Sequence, residues 1–267
     1  MGAPHAIPEV PVALFLGGLD PSSGAGVLRD ALVASDLGMY PMAVPLAETV
    51  QNGLECAKIA PPGFCPMKRL ESLELHLTKK WGAKLSMFHD LSQLGAILER
   101  IQELKPAAAI WDPIAGPTSG AKLHGACTIK KALGLLPSGI WVVSPNIPEA
   151  RTLADMPEGS LESVAKKILD MGAQCVWIRG GHASGETVQD LWADGAALEW
   201  LAPHSRLEGD PRGTGCTTTS AWLSYRLKGL EPASAAEAAI KYVRGAWDHL
   251  CRPGGAGRAA FPPRMPI

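Results

Sequence analysis

Five residues, Gly213-Thr214-Gly215-Cys216-Thr217, open a helical stretch directly after a turn-forming segment, Glu208-Gly209-Asp210-Pro211-Arg212. Glycine lets a backbone turn tightly and approach a ligand without a Cβ in the way. The first N–H groups of a helix have no partner inside it and lie at the positive end of its dipole, so this segment has the makings of an anion site. Cys216, in that first turn, is expected to have its thiol pKa drawn below the free value of about 8.5. The plain alternative is a glycine-flanked helix start with a buried cysteine. A Walker P-loop is excluded, because G-K-[ST] occurs nowhere in the chain.

Two other strand-to-helix junctions carry suitable groups. Residues 17–26 form a second glycine-rich turn that contains Asp20, and Asp30 lies one turn into the helix that follows. An aspartate at that place is more often solvated than ligating. In Ser144-Pro145-Asn146-Ile147-Pro148-Glu149-Ala150, Asn146 and Glu149 stand three residues apart. A carboxylate there can hold a metal-bound water near phosphates. Equally, Asn146 can be a helix cap and Glu149 a favourable first-turn acid.

These residues need a scaffold, and the apolar pattern supplies one. Residues 12–18, 107–112, 140–144 and 175–179 are apolar runs of strand length without strict alternation, as in a parallel sheet covered on both faces. Helices are expected from about 25 to 37, stopped by Gly38, and after Ser160, which suits an N-cap ahead of Leu161, Val164, Ala165, Ile168 and Leu169, with Gly172 as the stop. Residues 189–193 and 197–201, turning at Asp194-Gly195, read as a hairpin. Helices near 214–228 and 233–250 close the pattern, and the Gly-, Pro- and Arg-rich tail from about 252 is expected to be poorly ordered. Alternation without repeat or linker implies one α/β domain over residues 1–267. Ligands in such folds bind beyond the carboxyl ends of the strands, which directs attention to Asp20, Asp112, Asn146, Glu149 and Arg179.

Composition narrows the function. A 46% hydrophobic fraction suffices for a sizeable core, and a net charge of −1 gives no pull towards nucleic acid or an anionic membrane. No apolar run approaches the roughly 20 residues that span a bilayer. The N-terminal stretch lacks the basic start of a secretory signal, and Ala6 stands where a myristoylation motif wants Ser or Thr. Cysteines at 56, 65, 127, 175, 216 and 251 form no C-x-x-C pair and no zinc spacing, which fits thiols in a reducing cytoplasm.

Taken in this order, the segments resemble the hydroxymethylpyrimidine/phosphomethylpyrimidine kinases of thiamine biosynthesis, within the ribokinase-like superfamily. The similarity runs from about residue 12 to 228. Its markers are GLDPSSGAG at 18–26, VQN at 50–52, WDPIAGPTSG at 111–120, SPNIPEA at 144–150, IRGGH at 178–182, DLWADG at 190–195 and GTGC at 213–216. The resemblance implies a three-layer α/β/α ribokinase-like fold with a central, mostly parallel sheet, and a homodimer. It also implies ATP- and Mg²⁺-dependent phosphorylation of the primary hydroxyl of an aminopyrimidine, then of that product's phosphate.

Residue roles follow from the same resemblance. The N–H groups of Gly213, Thr214, Gly215 and Cys216 would cradle the migrating phosphoryl group, with Cys216 as general base. Sugar kinases of the superfamily carry Asp there. Asn146 and Glu149 would organise Mg²⁺ and its waters, and Asp112 would assist with metal or phosphate. Arg179 stands where the family usually has Lys, retaining a cation near the nucleotide phosphates. Gly18, Asp30, Gln51 and Met87 match positions lining the pyrimidine site. Three positions depart from the pattern: Arg212 for a common His, Gly53 for Thr, and Ser86 for Gly. The family's C-terminal G-x-G-P-x-H-H segment is not recognisable after Arg252. A pyridoxal or pyridoxine kinase and a non-catalytic pyrimidine-binding protein are the competing readings.

Overall fold

The stretch VALFLGGL (β1, Val12–Leu19) is buried along almost its whole length, as a strand covered on both faces must be. The structure, a computed structural model, describes residues 8–114, 126–139, 141–255 and 257–265, so residues 115–120 of the marker at 111–120 lie outside it. After β1 come α1 (Gly26–Asp36), β2 (Tyr40–Gln51), β3 (Cys56–Ala60), α2 (Pro66–Leu73), β4 (Trp81–Leu85), α3 (Leu91–Glu103), β5 (Ala108–Trp111) and α4 (Ala126–Leu133). Then follow β6 (Trp141–Val143), α5 (Ile147–Ala154), α6 (Leu161–Asp170), β7 (Cys175–Ile178), β8 (Thr187–Val188), β9 (Leu191–Asp194), β10 (Leu198–Trp200), β11 (His204–Ser205), α7 (Thr214–Lys228) and α8 (Pro232–Trp247).

Nine strands form one sheet in the order β10-β9-β7-β6-β5-β4-β1-β2-β3. The ladder from β7 to β2 is parallel, and the pairings at the two edges, β2 with β3, β7 with β9 and β9 with β10, are antiparallel. Side chains alternate across it. Leu14 and Leu16 face a core shared with α2 to α6 (Leu70, Ile97, Leu98, Ile129, Leu153, Ile168), while Ala13 and Phe15 face α1, α7 and α8 (Val33, Trp222, Leu223, Ala239). These are the three layers expected. The tryptophans explain themselves here: Trp81, Trp111, Trp141, Trp177, Trp192 and Trp222 are fully buried and fill the two interfaces.

Helix α7 is buried nearly all round, which its polar sequence TGCTTTSAWLSYRLK does not suggest. Three of its hydroxyls find partners inside the helix: Thr218 donates to Thr214 O at 2.7 Å, Thr219 to Gly215 O at 2.9 Å and Ser224 to Ser220 O at 2.9 Å.

The tail is a correction. Among its described residues, Cys251 and Ala260 pair as an antiparallel bridge, and Phe261 is buried against Val243 and Ala246. The Arg29 guanidinium donates to Phe261 O at 3.0 Å and Pro262 O at 2.8 Å and lies over the Phe261 ring. A composition rich in Gly and Pro is held down by one aromatic anchor and one buried cation.

Candidate active site

The parallel ladder continues one residue past its strands. Ser86 N–H donates to Leu16 O at 2.8 Å, Asp112 to Leu85 O at 2.9 Å, Ser144 to Trp111 O at 2.8 Å and Arg179 to Pro145 O at 2.9 Å. Main-chain bonding therefore lines up the carboxyl ends that carry Gln51, Gly18, Met87, Asp112, Asn146 and Arg179, in that order across the sheet. The chain leaves β1 for β2 on one side and returns through β4 on the other, so the strand order reverses between β1 and β4. That is where such folds bind ligands. A cleft of about 610 Å³ opens there, and Gly213, Thr214, Gly215 and Cys216 line it between the two groups of strand ends.

The start of α7 is fixed by glycine for two separate reasons. Gly213 has φ +78°, and a Cβ on it would meet Gly24 O at 2.1 Å. A Cβ on Gly215 would lie 2.4 Å from Arg179 Nη1, so the cation's approach to the helix end depends on a missing side chain. The first intrahelical bond runs from Thr217 N–H to Gly213 O at 2.8 Å, which leaves the amides of 213–216 ahead of it.

Cys216 is 5% exposed and touches the cleft. Its expected low pKa is overturned. Burial pushes the thiol up to about 12, against the pull of the Lys84 ammonium, with Asp30 and Asp112 adding to the rise and a hydrogen bond from the Gly26 amide lowering it. The field of the helix end favours the thiolate, and loss of solvent outweighs it.

On the β5 to β7 side the groups are charged. Arg179 Nη2 donates to Asp112 Oδ1 at 2.6 Å and lies 3.6 Å from Glu149 Oε2, and Thr219 Oγ1 lies 3.4 Å from Asp112 Oδ2. Asn146 and Glu149 form a reciprocal cap, Glu149 N–H to Asn146 Oδ1 at 2.9 Å and Asn146 N–H to Glu149 Oε2 at 2.8 Å. The two readings of that segment thus coexist in one pair of side chains. Burial lifts the Glu149 carboxyl to about 7, with Arg179 pulling it down and Asp112 pushing it up. Two carboxylates around one guanidinium leave the site short of positive charge. Among the described residues no cluster of three His, Cys, Asp or Glu could enclose a metal. This donor set suits Mg²⁺ held by one or two carboxylates, its own waters and a substrate's phosphates.

On the β2, β1 and β4 side lie Gly18, Thr49, Gln51, Ser86 and Met87. A Cβ on Gly18 would stand 3.1 Å from Met87 Sδ, so the two residues share one wall. Gln51 Nε2 donates to Thr49 Oγ1 at 2.8 Å, and its Oε1 accepts from Arg212 at 2.9 Å.

Asp30 is the exception among the expected residues. It does not line the cleft but lies in the core, 1% exposed, bonded to Lys84 Nζ at 2.6 Å and Ser220 Oγ at 2.8 Å. Lys84 also donates to Cys216 O and Ser220 Oγ, each at 3.1 Å. Although burial draws the Lys84 pKa down, Asp30, Cys216 and Asp112 together hold it above the ordinary lysine value. Asp30 is thus a support beneath the first turn of α7. Sequence reasoning missed Lys84, whose signal was a lysine inside the otherwise apolar WGAKL. It also missed the links from Arg212 to Asp20 and Gln51.

A covered parallel sheet, a switch-point cleft and a helix start that faces a cation and two carboxylates define a small-molecule kinase of the ribokinase-like class. Residues 20–260 match the family model described as phosphomethylpyrimidine kinase, and the chain belongs to that family. It is similar to the hydroxymethylpyrimidine/phosphomethylpyrimidine kinase of Aquifex aeolicus, at 30% identity over 238 residues, covering 87% of this chain and 92% of that protein. It is also 30% identical over 251 residues to the thiamine biosynthesis bifunctional protein ThiED of Geobacter sulfurreducens, covering 91% of this chain and 50% of that one. Among solved structures, the pyridoxal kinase of Staphylococcus aureus with ADP superposes with a TM-score of 0.82 at 23% identity, covering 97% and 95% of the two chains. The phosphomethylpyrimidine kinase of Clostridium difficile does so with 0.73 at 24% identity, covering 90% and 100%. These structural likenesses speak for the fold.

Proposed function

We propose that this kinase transfers the γ-phosphoryl group of ATP to the hydroxyl of 4-amino-5-hydroxymethyl-2-methylpyrimidine, and then to the phosphate of that product, in thiamine biosynthesis. One observation carries the reading: Gly213, Thr214, Gly215 and Cys216 line the same cleft as Gln51 and Met87 on one side and Arg179, Asp112 and Glu149 on the other. Phosphoryl transfer relies chiefly on in-line positioning and on neutralising spread charge, and this arrangement offers both. The acceptor ring takes the first wall, the nucleotide phosphates take the second, and the helix start receives the group in transit. Asp112 and Glu149 would hold Mg²⁺ through water, beside Asn146. When bound, the ion neutralises phosphate charge.

Cys216 is proposed as the group that takes the hydroxyl proton. A neutral thiol has no basic lone pair of use, so this route runs through the thiolate and gains with rising pH. The names of the relatives support both phosphorylation steps, and the one nine-stranded sheet, whose strands come from residues 12 to 200, supports one domain over the chain. Exposed Val50, Leu54 and Phe64, around the edge strand β3, support a homodimer through that hairpin. Free thiols at 56, 65, 175, 216 and 251 are in keeping with a cytoplasmic location.

ATP consumption with hydroxymethylpyrimidine, its monophosphate and pyridoxal tests the reading. Turnover of either pyrimidine well above pyridoxal is expected. Preference for pyridoxal, or turnover of none, would refute it.

A further inference from the structure

Arg212 ends the loop that enters α7, and its side chain is buried. Nη1 donates to Ser22 Oγ at 2.9 Å, and Nη2 donates to Asp20 Oδ2 and Gln51 Oε1, each at 2.9 Å. One side chain therefore joins the β1–α1 turn, the end of β2 and the entry to α7. Its main chain is held as well, with Arg212 N–H donating to Ala259 O at 2.8 Å. A Cβ at Gly24 would crowd the guanidinium, 3.1 Å from Nη1, and Gly53 also borders it, where a Cβ would stand in ordinary contact at 3.4 Å. Two departures from the family pattern, Arg212 and Gly53, thus meet at one place.

The consequence falls on the Gln51 amide. Arginine has only donors, so Gln51 must turn its oxygen towards it. At the other end, Thr49 donates its single hydroxyl proton to Leu19 O at 2.9 Å and can only accept from Gln51 Nε2, at 2.8 Å. Both contacts demand the same orientation. A flipped amide would set N–H groups against a cation and oxygen against oxygen, losing both bonds. One lone pair on Oε1 and one N–H on Nε2 remain for a ligand.

We propose that Arg212 is a positioning residue that sets acceptor choice by locking Gln51 to show one acceptor beside one donor. That pair complements the 4-amino group and adjacent ring nitrogen of an aminopyrimidine. A pyridoxal ring nitrogen, flanked by a methyl and a C–H, has no neighbouring donor for Oε1. The inference rests on the acceptor wall assigned under the proposed function.

Two variants test it, each removing one end of the lock: Arg212→Met and Thr49→Val. Dissociation constants for hydroxymethylpyrimidine, pyridoxal and a non-hydrolysable ATP analogue are measured calorimetrically, each ligand alone. Both variants should lower the preference for the pyrimidine about tenfold or more, through weaker pyrimidine binding, because a site built around a donor–acceptor pair discriminates strongly. Nucleotide affinity should stay within about threefold, since its contacts lie on the other wall. An unchanged preference in the folded variants would overturn the inference. So would pyrimidine and nucleotide affinity falling together, the mark of a purely structural role. If Arg212→Met does not fold, Thr49→Val decides. Wild-type protein that binds the pyrimidine without turning it over would sink the kinase proposal while leaving the lock measurable. Wild-type protein that does not bind it would sink the lock.

Discussion

Replacing Lys84 by Met would remove the one cation that, among the described residues, pairs with a carboxylate sealed under α7. Lys84 and Asp30 have side chains 0% and 1% exposed and meet at 2.6 Å. In Lys84→Met, Asp30 Oδ1 keeps the Ser220 hydroxyl, while Oδ2 has no partner among the described residues. Breaking a buried pair from one side costs about 3–5 kcal/mol, because a charge is left without compensation. At about 2–4 °C per kcal/mol for a domain of this size, melting should fall by about 6–20 °C. Adding Asp30→Asn removes the stranded charge, so the double variant should melt above Lys84→Met alone. Acid gives an independent sign. Burial already raises the Asp30 pKa in the fold, and losing Lys84 raises it further. A carboxyl with a raised folded pKa loses stability as pH rises, so the gap between wild type and Lys84→Met should narrow towards acid. Urea and thermal melts across pH measure all of this. A loss under about 1 kcal/mol, or a double variant weaker than Lys84→Met, would refute the reasoning.

Three further outcomes are expected. Cys216→Ala should lower turnover by about 10²–10⁴ with nucleotide binding kept, and should abolish a rise in wild-type rate with pH that follows from a thiol at about 12. A near-wild-type rate would remove Cys216 from the mechanism. Gly215→Ala, whose new Cβ would stand 2.4 Å from Arg179 Nη1, should displace that guanidinium from Asp112 and cost about 10²-fold in turnover. A change within about twofold would show that the contact does not matter. Mg²⁺ affinity, titrated calorimetrically with ADP present, should rise as pH passes about 7, because metal and proton compete for Glu149. Glu149→Gln should flatten that rise. An equally steep rise in the variant would place the titrating group elsewhere. Without metal the same raised pKa stabilises the fold below about 4.5 and loses that contribution as pH climbs through about 7.

What the sequence disclosed was local. Ser160 announced α6, and its hydroxyl accepts from Ser163 N–H at 3.2 Å as a cap should. The apolar runs gave β1, β5 and β7, and the glycines of 213–215 marked the start of α7. By contrast β2 was hidden by Pro41 and Pro45, which read against a strand. They are tolerated because β3 pairs only with Glu48 to Gln51, so both prolines sit where β2 is the sheet edge. Lys84 gave β4 a charge that only a distant carboxylate explains, since Asp30 is 54 residues away. Gln51 and Arg212 are 161 residues apart. No spacing rule reaches across such gaps. The Cys216 thiol shows the same limit, because the field of its own helix could be read locally and its burial could not.

The bond between Arg212 and Ala259 makes the last stretch of chain a remote part of the proposed acceptor pocket. Arg258 beside Asp210, and Arg29 on the carbonyls of Phe261 and Pro262, fasten the same strap. Trimming the protein back to residue 257 would unbutton that strap some way from any substrate, yet its first symptom should be a looser grip on the ring.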